Sequence, residues 1–239
     1  GASFVSIPQD VTDSLVSVKA IKPLTDPKLG SASVDDINYL AQAIRNAQLP
    51  VLLLGNGAST SKVTQAIRQL LTAVKLPVVE TFQGAGIVSR ELEEDTFFGR
   101  VGLFRNQPGD MLLKKADLVI AIGYDPIEYE ARNWNAEISA RIIVIDVAQA
   151  EIDTYFQPER ELIGDIADTI QLLLPAINGY SLPKTSVAYL QNLKKNVVED
   201  VKFDRKTKDG LVHPLDVIDV LQDNTTDDMT VTVDVGSHY

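Results

Sequence analysis

PVLLLGNGASTSKVTQAIRQLLTAVKLPVVET, residues 50–81, is the stretch whose reading decides the fold. PVLLLG (50–55) is a short apolar run ending on a glycine, as a strand buried on both faces does. TSKVTQAIRQLLTAVK (60–75) puts Val63, Ile67, Leu70, Leu71 and Val74 on one face of a helix. LPVVET (76–81) is a second apolar, β-branched run. Strand, helix and strand follow one another with short connections, and neither strand has a polar face to give to water.

The same grammar extends in both directions. Upstream, SVDDINYLAQAIRNA offers Ser33 as an N-cap, acids in the first turn, and Ile37, Leu40, Ala41 and Ile44 at helical spacing. Downstream, residues 82–109 are glycine-rich and irregular, with short helical stretches. PGDMLLKKA (108–116) is a helix with Pro near its start and Asp in its first turn. DLVIAIGY (117–124) and ARIIVIDV (140–147) are near-continuous apolar strands. ELIGD (161–165) is a shorter one, and IADTIQLLLPAI (166–177) is a helix. Strands apolar on both faces, alternating with amphipathic helices, specify an α/β fold with a doubly wound parallel sheet.

The flanks read differently. Residues 4–7 look like a short strand, and SVKAIKPLTDPKLGSAS (17–33) has the Pro, Gly and Ser content of a linker. A second linker starts at NGYSLPKTS (178–186), a polar helix follows over 187–200, and HPLDVIDVLQDNT (213–225) opens another amphipathic helix. The last segment, TVTVDVGSHY (230–239), climbs as a strand to Val235 and breaks at Gly236. The expected organisation is therefore the end of one domain at 1–14, a linker at 15–33, a central α/β domain at 34–178, a linker with a helix at 179–212, and the start of a further domain at 213–239. Both ends read as cuts through a longer polypeptide.

Composition narrows the function. The net charge of −11 argues against a polyanion binder, so no nucleic-acid partner is expected. There is no cysteine, which excludes disulfides and thiolate metal sites and fits a cytoplasmic location. No apolar run approaches the roughly 20 residues that span a bilayer, so no membrane partner is expected.

Five stretches could carry chemistry. In LLLGNGAS (52–59), Gly55 and Gly57 permit a tight turn before a helix, and Glu80 ends the next strand where a dinucleotide fold keeps its ribose-binding acid. Thr60 stands where a third glycine would complete that fingerprint, so a plain strand-to-helix turn is the competing reading. In ETFQGAGIVSRE (80–91), Gly84 and Gly86 follow a strand end, and Thr81 and Gln83 could face a ligand at the carboxyl edge of the sheet; a glycine-permitted helix start competes. GRVGLFRNQPGD (99–110) presents Leu103, Phe104 and Arg105 on a long loop of the kind that often carries function; a surface loop that packs Phe104 onto its own domain is an equal competitor. GYDPIEYEARNWN (123–135) clusters Asp125, Glu128 and Glu130, and reads best as a solvated loop with Tyr129 and Trp134 packing locally. In DVGSHY, Gly236, Ser237 and His238 could receive a phosphate oxygen, although on composition alone a plain turn after a strand is the stronger reading. The other histidine, His213, precedes Pro214 and reads as a helix-cap residue. No nucleophile elbow, Walker loop, zincin or kinase signature is present.

The ordered run FVSIPQDV, LPVVETFQGAG, FFGRVGLFRNQPGD, ADLVIAIGYDPIEYEARNW, IIVIDV, ELIGD and VTVDVGSHY closely resembles the acetolactate synthases, in the catabolic, FAD-independent branch of the thiamine diphosphate enzymes. GLFRNQPGD with IGYDPIEY is its most specific part. The resemblance implies a Rossmann-like central domain between the last strand of a pyrimidine-binding domain and the start of a diphosphate-binding domain. It implies a parent enzyme that condenses two pyruvate molecules to 2-acetolactate and CO2 with thiamine diphosphate and Mg2+, as a homodimer or homotetramer and without FAD.

At the level of residues, Gly236, Ser237 and His238 match the segment that contacts the cofactor diphosphate. Leu103, Phe104 and Arg105 match a loop that approaches the substrate channel. Thr81, Gln83 and Gly84 match a loop that lies along FAD in flavin-containing relatives, with Gln83 facing the channel. YDPIE lacks the Arg that those relatives place there. The catalytic Glu and the Mg2+-binding motif of the family are absent from these residues, so no catalytic or metal-binding residue is assigned, and the chain alone is expected to be inactive with nothing bound. A dinucleotide- or flavin-binding module and a purely structural dimerisation domain remain the alternatives.

Overall fold

The computed structural model describes residues 4–17, 19, 22, 25, 28–102, 107–200, 210–226, 229 and 231–232. After a short helix α1 (Gln9–Thr12), the chain forms α2 (Val34–Asn46), β1 (Pro50–Leu54), α3 (Ser61–Ala73) and β2 (Val78–Glu80). Then come α4 (Arg90–Thr96), β3 (Phe97–Arg100), α5 (Pro108–Lys115), β4 (Leu118–Ile122), β5 (Arg141–Asp146), β6 (Arg160–Ile163) and α6 (Ile166–Ala176). Two more helices follow, α7 (Lys184–Asp200) and α8 (Pro214–Asn224).

The six strands are all parallel and lie in the order β3-β2-β1-β4-β5-β6. The order reverses at β1 and β4, whose residues pair from Pro50↔Leu118 to Leu54↔Ile122. Alternation along each strand sends its side chains into two cores. Leu52, Leu54, Leu118, Ile120, Ile122, Ile143 and Ile145 meet α2, α3 and α6 on one face. Val51, Leu53, Val119, Ala121, Ile142 and Val144 meet α5 and α7 on the other. Leu40, Ile44, Ile67, Leu70 and Leu71 are wholly buried, each stabilising by roughly 1.5–3 kcal/mol relative to exposure.

Helix starts follow the expected chemistry. Ser33 accepts the Asp36 N–H at the start of α2, and Asp165 accepts the Asp168 N–H at the start of α6. His213 caps α8, its Nδ1 accepting the Leu215 N–H at 3.1 Å. The two strands of the reversal are tied at their amino ends by Asp117, whose carboxylate accepts the N–H groups of Gln48 and Leu49, both at 2.7 Å.

Two expectations need correction. Residues 4–7 form no strand and are exposed, Phe4 by 92%. No strand among the described residues supplies them with ladder partners, and a lone strand has nowhere to send its N–H and C=O groups. Within 82–109, Phe97–Arg100 is a strand and not irregular chain: it extends the sheet beyond β2, with a shift of register between Val78 and Glu80. The strand expected to end at Val235 falls mostly outside the described residues.

The segment after α6 packs back onto the sheet. Leu190 and Leu193 of α7 enter the second core, and Ser186 Oγ donates to the Gln48 carbonyl at 2.6 Å. Lys194 donates to the carbonyls of Glu93 and Phe97 and lies 5.4 Å from the Phe98 ring. Its half-buried ammonium is held below the usual lysine range by desolvation. By contrast α8 buries no residue, and Val217, Ile218, Val220 and Leu221 are exposed. Among the described residues no helix is long and apolar enough to cross a membrane.

Candidate functional site

In a doubly wound sheet, ligands enter at the carboxyl ends of the strands where the strand order reverses. Here that place lies between the turn after β1 and the turn after β4. The two turns interlock. The Gly55 N–H donates to the Ile122 carbonyl at 3.1 Å, and the Gly57 N–H donates to the Gly123 carbonyl at 2.8 Å. A Cβ on Gly55 would sit 2.5 Å from the Gly123 oxygen, and one on Gly123, whose φ is +56°, would sit 2.4 Å from the Ala58 nitrogen. These glycines allow one backbone to approach another.

The remaining donors of the first turn are also taken. The Ala58 N–H goes to the Gly55 carbonyl and the Ser59 N–H to the Asn56 carbonyl, both at 3.0 Å. The Asn56 N–H goes to Glu128 Oε1 at 3.0 Å, and the other oxygen of Glu128 accepts the Thr81 hydroxyl. An anion therefore does sit at the turn, and it is a carboxylate of the chain itself. The N–H groups of the turn itself, residues 55–59, are all engaged by protein acceptors and offer none to a pyrophosphate, which disfavours the dinucleotide-module reading.

Glu80 departs from its expected role for a related reason. It is 2% exposed, and its carboxylate turns into the chain that follows β2, where Oε1 accepts the Val88 N–H at 2.8 Å. Burial pushes its carboxyl up to about 7, against the opposing effects of the Val88 and Gly86 N–H groups and the Arg100 guanidinium. It organises a loop and does not face a ribose.

That loop, residues 81–89, is held at several points. The Thr81 N–H donates to the Leu54 carbonyl at 2.9 Å. A Cβ on Gly84 would meet the Leu54 oxygen at 2.6 Å, and Gly86 takes φ +89°. Arg68 of α3 donates from Nε to the Ile87 carbonyl at 2.8 Å and from Nη2 to the Gly86 carbonyl at 2.9 Å. Thr81 and Gly84 are buried by these contacts, whereas Gln83 is exposed on a fixed base.

Beside the loop stand both ends of the next one. The Val101 N–H donates to the Glu80 carbonyl at 2.9 Å, and a Cβ on Gly102 would lie 3.4 Å from the Phe82 ring. At the other end the Gln107 N–H donates to Asp110 Oδ2 at 3.0 Å, and Tyr129 donates to Asp110 Oδ1 at 2.7 Å. Leu103, Phe104 and Arg105 lie between these anchors and outside the described residues, as do Gly236, Ser237 and His238.

The three acids after β4 go three ways. Asp125 accepts the Ile127 N–H of its own turn at 2.9 Å, Glu128 faces the first glycine turn, and Glu130 pairs with Arg132. Tyr129 and Trp134 are buried, and Tyr124, Trp134 and Phe156 meet edge to face. Local packing was thus the right reading for Tyr129 and Trp134, while Glu128 does more than solvate a loop. A cleft of about 210 Å³ between the ends of β4 and β5, lined by Tyr124, Ile127, Val144 and Asp146 among others, is too small for a dinucleotide. Arg68 and Arg90 are the residues at this edge that the sequence did not single out. Their partners lie far along the chain, and a charge on a helix or loop reads as solvated by default.

Comparison with known proteins points one way. Residues 37–173 match the family described as thiamine pyrophosphate enzyme, central domain. The chain is 43% identical over 238 residues to the acetolactate synthase of Bacillus subtilis (strain 168), covering 100% of this chain and 42% of that protein. It is 35% identical over 241 residues to the catabolic acetolactate synthase of Raoultella terrigena, covering 100% of this chain and 43% of that protein. It is 30% identical over 186 residues to 2-hydroxyacyl-CoA lyase 1 of Homo sapiens, covering 72% and 29%. The chain thus spans less than half the length of these curated relatives.

Proposed function

The chain belongs to the thiamine pyrophosphate enzymes through their central domain, and from that membership we propose that it is part of a catabolic, flavin-free acetolactate synthase. The observation that carries the proposal is identity along the whole chain, and not the central domain alone, with two acetolactate synthases, at 43% and 35%. The reaction joins two pyruvate molecules into 2-acetolactate with loss of CO2. Bound thiamine diphosphate supplies the nucleophilic carbon and the electron sink for decarboxylation.

In this proposal residues 1–14 end a pyrimidine-binding domain, 34–178 form the central domain, and 213–239 open a diphosphate-binding domain, with linkers at 15–33 and 179–212. The donors of the turn at 55–59 are committed to protein acceptors, so that turn does not fit a diphosphate. We assign the diphosphate to Gly236, Ser237 and His238, where glycine admits the phosphate oxygens to backbone N–H groups and the serine hydroxyl donates. Gln83, Leu103, Phe104 and Arg105 line the substrate channel. Their support is the exposure of Gln83 on an anchored loop and the anchoring of both ends of 103–106 beside it. Arg105 would orient the pyruvate carboxylate through its forked donors. Mg2+ and the catalytic glutamate fall to residues other than these, and the enzyme assembles as a homodimer or homotetramer.

The test is an assay of an enzyme containing this chain with pyruvate, thiamine diphosphate and Mg2+. The expected result is acetolactate from a colourless preparation, with no product from residues 1–239 alone. No acetolactate from the enzyme would overturn the reading, and a tightly bound flavin would favour the dinucleotide-module alternative.

A further inference from the structure

Arg90 is the first residue of α4 and follows directly from the anchored loop 81–89. Its guanidinium reaches across to a distant element: Nη2 donates to the Gln222 carbonyl at 2.9 Å and to Thr225 Oγ1 at 3.0 Å. Gln222 lies in the last turn of α8, where carbonyls lack intrahelical partners, and Thr225 is the C-cap. A cation there also complements the negative end of the helix dipole. The contact matters because α8 buries no residue and turns Val217, Ile218, Val220 and Leu221 outward. Apolar packing within the described residues therefore does not fix this helix.

The other side of the contact is well fixed. Glu80 holds the Val88 N–H, Arg68 holds the carbonyls of Gly86 and Ile87, and Gly84 abuts Leu54. Arg90 is thus the end of a braced segment that begins at the carboxyl end of β2. The helix it grips leads, through Thr225, to the segment that ends in Gly236, Ser237 and His238.

We propose that Arg90 is a positioning residue for the cofactor: by capping the carboxyl end of α8 it registers the diphosphate-binding element against the ligand edge of the central sheet. The inference rests on the acetolactate synthase reading above. It assigns Arg90 no contact with substrate or cofactor.

The experiment uses the enzyme containing this chain and measures thiamine diphosphate affinity by titrating the apoenzyme at fixed Mg2+, together with kcat at saturating cofactor. Arg90→Ala is expected to raise the Kd for thiamine diphosphate by about fivefold, the scale of one exposed cation at a helix end, with kcat at saturation nearly unchanged. Arg90→Lys, which keeps a cation within reach of the Gln222 carbonyl, is expected to recover most of the affinity. Thr225→Val, which removes one acceptor only, is expected to weaken binding in the same direction by about twofold, and it decides the matter if Arg90→Ala does not fold. Unchanged affinity in both Arg90→Ala and Thr225→Val overturns the inference while leaving the proposed function standing. A parent enzyme that neither binds thiamine diphosphate nor makes acetolactate overturns both.

Discussion

Two loops at the carboxyl edge of the sheet are written in nearly the same letters and do opposite things. GNGA after β1 and GAG after β2 each place two glycines, one residue apart, beyond a buried strand. In the first, the glycines admit the backbone of the turn at Gly123, and the crevice at the reversal of strand order is filled by main chain and by the Glu128 carboxylate. In the second, Gly84 lets the loop fold down onto Leu54, Gly86 supplies a left-handed turn, and Gln83 is left facing outward on a rigid base. A glycine pair at a strand end therefore declares close approach and says nothing of whether the neighbour is a ligand or the protein itself.

The largest effect that would break this comparison is expected at the interlock. Gly123→Ala puts a methyl group 2.4 Å from the Ala58 nitrogen at a positive φ, and is expected to cost about 3–5 kcal/mol. Urea denaturation of the chain would read it, and a loss under 1 kcal/mol would show that the two turns can separate.

The second loop is probed through Glu80. Its carboxyl pKa is raised from 4.5 to about 7 mainly by burial, with Glu93 adding to the rise and Arg100 opposing it. Because the folded state prefers the protonated form, its stabilising contribution is present below pH 4.5 and is lost as the pH rises through 7. The span is on the order of 3 kcal/mol. Glu80→Gln keeps an acceptor for the Val88 N–H without the titration. Its stability relative to the parent is therefore expected to improve between pH 5 and pH 8 in parallel melts. Parallel curves for the two proteins across that range would mean that Glu80 is solvated.

The smallest effect sharpens the contrast. Glu128 touches both loops, through the Asn56 N–H and the Thr81 hydroxyl. Glu128→Ala is expected to cost about 2 kcal/mol by leaving both donors without this acceptor. If denaturation midpoints do not move, water replaces the carboxylate freely and the crevice is less closed than its geometry implies.

The sheet was legible where strands are buried on both faces. LLL at 52–54, VIAI at 119–122 and IIVI at 142–145 can hardly be anything else between amphipathic helices. FFGR at 97–100 was not legible, because this edge strand contains Gly99 at φ +104° and owes its state to pairing with β2 across an irregular register. Position was also easier to read than role. Glu80 was found at the strand end, but only the fold of the next eight residues shows that its carboxylate points inward. Arg90 could not be found at all, since its acceptors lie 132 and 135 residues further on.

The interlocked glycine turns also bear on how the chain acquires its shape in time. Ala58 and Gly123 are brought together across α3, β2, α4, β3, α5 and β4, and bringing such distant residues together costs loop-closure entropy before any contact repays it. Pairing of β1 with β4 closes a loop of the same size, and the lock is expected to follow that alignment, because the two turns meet only once the strands are in register. A chevron of Gly123→Ala would then show its destabilisation mostly as a steeper rate of unfolding, with folding left nearly as fast. On that account the carboxyl edge is the last part of the sheet to be sealed and the first to reopen.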